Sequence, residues 1–253
     1  MNTQFKQEFQ HKWEKYFPGA ELPVAYSYND EVTAAEHADS RDEEHCVIAS
    51  FQRVRQGHTF VYSTDSPGCK GWRRYTGFSQ SLRPEFEFFL SCGIPGEIEG
   101  ERYKKSPDLV TSYLESHPAF EAPGRFLVFK RWDKLTRNDT PLAVVFFASA
   151  DVLSGLFALA NYDRSDPHGV ISPAGSGCST IVNYPYWEAQ SDQPRCVLGM
   201  FDVTARAQVS ATLLTFTIPF KRLVQMVANM DESFLTTPAW DTMRARIQQS
   251  AQS

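Results

Sequence analysis

Gly175-Ser176-Gly177-Cys178-Ser179-Thr180 has a counterpart far upstream in Ser66-Pro67-Gly68-Cys69-Lys70-Gly71, and this pairing decides how the chain is read. A slide of 109 positions lays Gly68-Cys69 on Gly177-Cys178 and Ile48-Ala49-Ser50-Phe51 on Phe157-Ala158-Leu159-Ala160. At slightly different slides Pro23-Val24-Ala25-Tyr26 matches Pro141-Leu142-Ala143-Val144, Ser106 to Val110 echoes Pro219 to Val224, and Pro118-Ala119-Phe120 echoes Pro238-Ala239-Trp240. Each match is short, but their shared order points to a tandem duplication. The period is far longer than the roughly 20–50 residues of solenoid repeats.

Around these turns the pattern alternates. Phe5, Phe9, Trp13 and Tyr16 fall on one face of an N-terminal helix that ends at Pro18 or Pro23. Val24 to Tyr28 reads as a strand, Asp30 to Glu44 as an exposed loop or short helix, and Glu44 to Arg55 as a helix with Val47, Ile48, Phe51 and Val54 inward. Thr59 to Tyr62 is a β-branched and aromatic strand that runs into the first Gly-Cys turn.

Phe86 to Leu90 is apolar, and a glycine-rich loop follows it. Ser106 and Pro107 open a helix that should bury Leu109, Val110, Tyr113 and Leu114 and stop at His117-Pro118. Beyond Glu121 to Gly124, the expected junction, strands are predicted at Arg125 to Trp132 and Ala143 to Phe147. Asp151 to Asn161 should form a helix with Val152, Leu153, Leu156, Phe157 and Ala160 inward. Val170 to Ser172 leads into the second Gly-Cys turn, strands follow at Arg195 to Phe201 and Ala211 to Ile218, and helices at Pro219 to Met230 and Pro238 to Gln249.

The fold class is therefore α/β or α+β, with two tandem related halves in a pseudo-two-fold arrangement. Residues 1–22 form an N-terminal helix, 23–122 the first repeat and 123–253 the second, packed together as one globular unit.

Composition narrows the function. A net charge of −5 supplies no field to gather nucleic acid or an anionic membrane surface. Met1 to Tyr16 lacks the apolar core of a signal peptide, and no run approaches the roughly 20 apolar residues of a bilayer span. Five cysteines without framework spacing fit reduced thiols. These features predict a cytoplasmic protein with neither nucleic acid nor membrane as partner.

Several segments together resemble the widespread prokaryotic family of domain of unknown function 169. They are Cys46-Val47-Ile48-Ala49, Gly57-His58-Thr59-Phe60, and Gly68-Cys69-Lys70-Gly71 with Gly77 behind it. In the second half they are Gly175-Ser176-Gly177-Cys178-Ser179 and Gly199-Met200-Phe201-Asp202, with Arg206 one turn on. The resemblance runs from about Pro23 to Met230, and it implies soluble bacterial or archaeal proteins with no settled activity. It supports the fold and names no reaction.

The candidate chemistry lies in the turns. A thiol at a helix N-terminus has a lowered pKa, and Lys70, Arg73 and Arg74 would add to this at Cys69. If the two turns face each other, Cys46, Cys69 and Cys178 could bind zinc or an iron–sulfur cluster, although no Cys-x-x-Cys spacing is present. The alternative is that these are small buried thiols packed under glycine turns.

A strand, a Gly-Ser-Gly turn and a helix start also present backbone donors to an anion; the plain reading of Gly175 and Gly177 is a tight turn at positive φ. Asp202 and Arg206, four apart, would pair on one helical face and hold a loop or an anionic ligand. Tyr184-Pro185-Tyr186-Trp187 could wall a pocket, or serve as core or as a homodimer contact. His45, His58 and His168 select no nucleophile pair.

The leading expectation is a binder of a small anionic ligand or cofactor between the halves. Its site would be formed by Gly68, Cys69, Arg73, Gly175, Ser176, Gly177, Cys178, Ser179, Tyr184, Asp202 and Arg206. The rival expectations are a metal or iron–sulfur redox protein and a non-catalytic interaction protein.

Overall fold

The computed structural model of the protein describes residues 1–39, 46–116 and 119–251. The expected helix stop at His117-Pro118, the start of the helix at Glu44 and the His45 candidate lie outside the described residues. In chain order the elements are α1 (Thr3–Tyr16), β1 (Val24–Asn29), α2 (Ala34–Asp39), α3 (Val47–Arg55), β2 (Phe60–Tyr62), α4 (Lys70–Tyr75), α5 (Phe86–Phe89) and α6 (Pro107–Ser116). After them come β3 (Phe126–Arg131), β4 (Ala143–Ala148), α7 (Ala150–Asn161), β5 (Val170–Ile171), α8 (Tyr184–Ala189) and β6 (Cys196–Gly199). The chain continues with α9 (Val203–Arg206), β7 (Leu214–Pro219), α10 (Phe220–Asn229) and α11 (Pro238–Ser250).

All seven strands join one mixed sheet in the order β2-β3-β1-β4-β7-β6-β5. Among the described residues only β5 and β6 run parallel. Alternation sets the faces. In β4, Val144, Phe146 and Ala148 point to one side and Ala143, Val145 and Phe147 to the other, and all six are buried.

On the first side, Phe146 pairs with Phe216 and Val144 with Ile218. Here α1, α7, α10 and α11 cover the sheet through Phe9, Trp13, Leu156, Leu223, Met226 and Trp240. On the second side, Val24, Tyr26, Leu127, Phe129, Val145 and Phe147 meet α3 and α4 through Ile48, Phe51 and Trp72. Each fully buried large side chain contributes about 1.5–3 kcal/mol, so a sheet covered on both faces holds a chain of this length.

The N-terminal aromatic spacing forms α1, with Asn2 as its cap and Phe9, Trp13 and Tyr16 buried. Tyr16 donates to Asp231 at 2.6 Å, and the Trp240 indole donates to the Tyr16 carbonyl at 2.9 Å, tying both ends of the chain together. Two inward expectations fail: Leu109 and Phe157 are exposed. Helical periodicity defines a face, but these positions sit at its edge, where no neighbouring element arrives.

A similar element order precedes each Gly-Cys turn, β1-α2-α3-β2 before Cys69 and β4-α7-β5 before Cys178, with α2 extra in the first. The hydrogen bonding does not divide at residue 122: β3 lies between β1 and β2, and β1 pairs with β4 on its other edge. Because β1 and β4 are antiparallel neighbours, a two-fold relating them would stand normal to the sheet and keep each face on its own side. The connecting helices α3 and α7 lie on opposite faces. Their placement does not show the expected pseudo-two-fold arrangement.

Candidate functional site

The two Gly-Cys turns start from opposite edges of the sheet, after β2 and after β5, and meet over the same face, where α4 packs against the helical turn that follows Cys178. That turn, Ser179–Asn183, is a π-helix: the amide of Tyr184 donates to the Ser179 carbonyl, five residues back. Pro185 gives the reason. It has no N–H to donate to Ile181, and its ring would press on that carbonyl in a regular α-turn, so the wider turn relieves the clash.

Gly175 and Gly177 are not in the positive-φ region, which corrects the expectation of a left-handed turn. They are small because other atoms lie close. A Cβ on Gly175 would lie 2.5 Å from the Ser179 hydroxyl and 3.3 Å from the Tyr113 hydroxyl, and one on Gly177 would lie 3.1 Å from the Ala205 methyl.

The expected anion cradle is largely closed from within. Gly177 N–H donates to Asp202 Oδ2 at 3.0 Å, and Ser179 N–H donates to the Ser176 hydroxyl at 3.1 Å. Asp202 is the N-cap of α9, accepting from Thr204 N–H at 3.0 Å and Ala205 N–H at 3.4 Å, with the Tyr103 hydroxyl also at 3.4 Å. Its carboxylate therefore welds the 175–178 turn to the start of α9.

Arg206 does not pair with Asp202. Its guanidinium donates to the carbonyls of Ser210 at 3.0 Å and Ala211 at 2.8 Å, closing the turn after α9. Arg73 is committed likewise, to the carbonyls of Thr64 at 2.7 Å and Ser66 at 2.8 Å, where it braces the turn that carries Gly68.

The thiols divide by burial. Cys69 is exposed and caps α4, its Sγ accepting from Trp72 N–H at 3.4 Å. Cys178 is buried, and burial pushes its thiol well above the ordinary value, with nearby Cys69 and Cys46 adding to the shift. A buried neutral thiol is the opposite of the activated thiolate expected at a helix start. Among the described residues no three His, Cys, Asp or Glu side chains are grouped to hold a metal ion. Cys46, Cys69 and Cys178 are therefore neighbours that do not fit zinc or an iron–sulfur cluster.

On the outer side of the second turn lies a cavity of about 310 Å³. Gly71 and Tyr75 of α4, Ala174, Gly175 and Ser176 of the turn, and Asp202 and Thr204 of α9 form its base. The opposite wall comes from the segment between α4 and α6: Leu82, Phe86, Phe89 and Leu90, then Tyr103 and Lys104. Between Tyr75 and Val110 no hydrophobic side chain is fully buried; Phe78 packs against Tyr62 of the core, while Phe86 and Phe89 line the cavity.

Tyr113 of α6 completes the wall. Its hydroxyl is buried beside the Tyr75 and Tyr184 side chains with no well-formed hydrogen bond, and burial, with Tyr75 beside it, pushes its pKa up to about 12. Tyr184 adjoins the cavity, with its ring against Gly175 and its hydroxyl 3.4 Å from the Ala174 carbonyl. The rest of that aromatic run is packing: Tyr186 stacks on Phe120 at 3.7 Å.

Of the sequence candidates, Gly175, Ser176 and Asp202 line the cavity, Tyr184 and Gly177 support it, and Gly68, Cys69, Arg73, Cys178, Ser179 and Arg206 hold the turns around it. Lining residues not singled out as site candidates include Tyr75, Phe86, Phe89, Lys104 and Tyr113. The apolar run at Phe86 to Leu90, flanked by Pro84 and Gly93, was the signal for Phe86 and Phe89, because it is too short to cover a core.

A mixed sheet covered on both faces, with two Gly-Cys turns meeting over one face and an aromatic-walled cavity beside one of them, defines a mixed α/β protein. No helix among the described residues is long and apolar enough to cross a membrane. The chain belongs to the family of domain of unknown function 169, described as uncharacterised ArCR, whose model matches residues 20–229. No curated protein and no solved structure gives a significant match.

Proposed function

We propose that this protein binds a small organic molecule in the cavity between the Phe86–Lys104 segment and the Gly175-Ser176 turn, with no chemistry of its own. The observation that carries the reading is the Tyr113 hydroxyl: a buried polar group in an aromatic-walled cavity, with the Tyr75 and Tyr184 side chains beside it but no well-formed hydrogen bond. An unmade buried hydrogen bond costs about 1–3 kcal/mol, and a ligand that completes it recovers that cost. A volume of about 310 Å³ is at the lower end of ordinary ligand pockets, about 300–1,000 Å³. The contributions of α4 and α6 on one side and of the second Gly-Cys turn on the other support a site between the halves.

A cytoplasmic location goes with this reading, because all five cysteines are free thiols. Native mass spectrometry of protein expressed in a prokaryotic host tests the reading. Retained organic mass in the wild type that is lost in Gly175→Leu, which fills the cavity floor, is the expected result. Retention of the same mass by a folded Gly175→Leu variant overturns it.

A further inference from the structure

We infer that the ligand of this cavity is an amphipathic carboxylic acid, with its apolar body against Phe86, Phe89 and Leu82 and its carboxylate at Lys104 and Tyr113; the inference rests on the binding reading above. The ammonium of Lys104 stands 4.8 Å from the centroid of the Tyr113 ring. Lys104 is only half-exposed, and among the described residues no carboxylate lies within ion-pair distance of it. Sharing a cation with a ring and not with a carboxylate leaves its donors free for an incoming anion.

The buried hydroxyl of the same Tyr113 ring, which makes no well-formed hydrogen bond to its Tyr75 and Tyr184 neighbours, adds a second donor. Of the two carboxylates on the cavity, Asp202 is occupied by backbone amides and Tyr103, and Glu101 is exposed, where water screens it, and makes no ion pair with Lys104. One ammonium and one phenol among rings match a single anionic group on an apolar body, not a polyphosphate. A nucleotide would bring several negative charges to a site with one cation, and the turn amides that could have met them are already bonded.

The test compares 4-phenylbutyrate with 4-phenylbutan-1-ol, which share an apolar body and differ in the head group, by isothermal titration calorimetry on the full chain. The acid is expected to bind at least about tenfold more tightly, the usual weight of a charge-assisted hydrogen bond. Lys104→Met should remove that preference. Equal binding of acid and alcohol, both lost in Gly175→Leu, would overturn the carboxylate inference and leave the cavity reading standing. Binding of neither probe would overturn both, and a preference that survives Lys104→Met would remove Lys104 from the site.

Discussion

Replacing Asp202 with alanine removes one side chain and disconnects two segments. The capping interaction at α9 goes with it, and loss of an N-cap costs about 0.5–2 kcal/mol. Gly177 N–H, 3.0 Å from Oδ2, is left without its acceptor, which adds about 1–3 kcal/mol when the group is buried. The cap bond to Thr204 is exposed and those to Ala205 and Gly177 are part-buried, so the low ends apply and the total is about 1.5 kcal/mol. At roughly 2–4 °C per kcal/mol for a chain of this size, Tm should fall by about 3–6 °C. Asp202→Asn keeps one acceptor oxygen and can satisfy either α9 or Gly177, so it should lose about half as much. Scanning calorimetry measures the global effect, and amide hydrogen exchange at Gly177 reports the local one. If Asp202→Ala melts within about 1 °C of wild type and Gly177 exchanges no faster, the carboxylate is not the weld described above.

Asp163 is held below the usual carboxylate range by the Arg222 guanidinium, and Asp231 by the Tyr16 hydroxyl with Lys15 and Lys12. A depressed folded pKa contributes stability that is present above the unfolded value of about 3.9 and lost as pH falls through the folded one. The urea midpoint should therefore hold down to about pH 4 and drop below it, less steeply in Asp231→Asn; equal slopes in the two proteins would contradict this. Arg222 is buried against Asp163 and the Ala160 carbonyl, and Asp163→Ala strands that charge. The expected loss is about 2–3 kcal/mol, the low side for a broken buried pair because the carboxylate is partly exposed, and a denaturant midpoint unchanged within error refutes it. With iodoacetamide under native conditions, Cys69 and Cys92 should be modified first, while Cys178 and Cys196, both buried, react only on unfolding. Peptide mass spectrometry showing early labelling of Cys178 would mean that the second turn opens.

Much of the fold is legible where local pattern and burial agree. The continuous apolar run at Ala143 to Phe147 marks a strand covered on both faces, and β4 sits near the centre of the sheet between β1 and β7. The aromatic spacing from Phe5 to Tyr16 marks a helix whose stripe faces inward. The strand order is another matter. That β3 inserts between β1 and β2 depends on pairing across a hundred residues, and no local pattern encodes a distant partner. The site divides the same way. Asp202 and the Gly-Ser-Gly turn stand out as motifs, but their mutual bond consumes the donors and acceptor that made them look like an anion site. Lys104 and Tyr113 carry no motif; only their placement over one cavity distinguishes them from ordinary surface residues.

The two Gly-Cys turns share a sequence pattern and a local layout, yet they do different things. Cys69 ends in the cap of a six-residue helix and is exposed; Cys178 is enclosed beneath a π-turn that Pro185 forces open. Their supporting helices lie on opposite faces of the sheet, so the likeness resides in the strand–turn–helix unit and not in a symmetric whole. The cavity forms because α4 supplies Gly71 and Tyr75, the second turn supplies Gly175 and Ser176, and Leu82, Phe86, Phe89 and Leu90 from the segment between α4 and α6 close over them. One turn is spent on capping a helix and the other on a floor for the cavity, so likeness of sequence at Gly68-Cys69 and Gly177-Cys178 does not carry likeness of role.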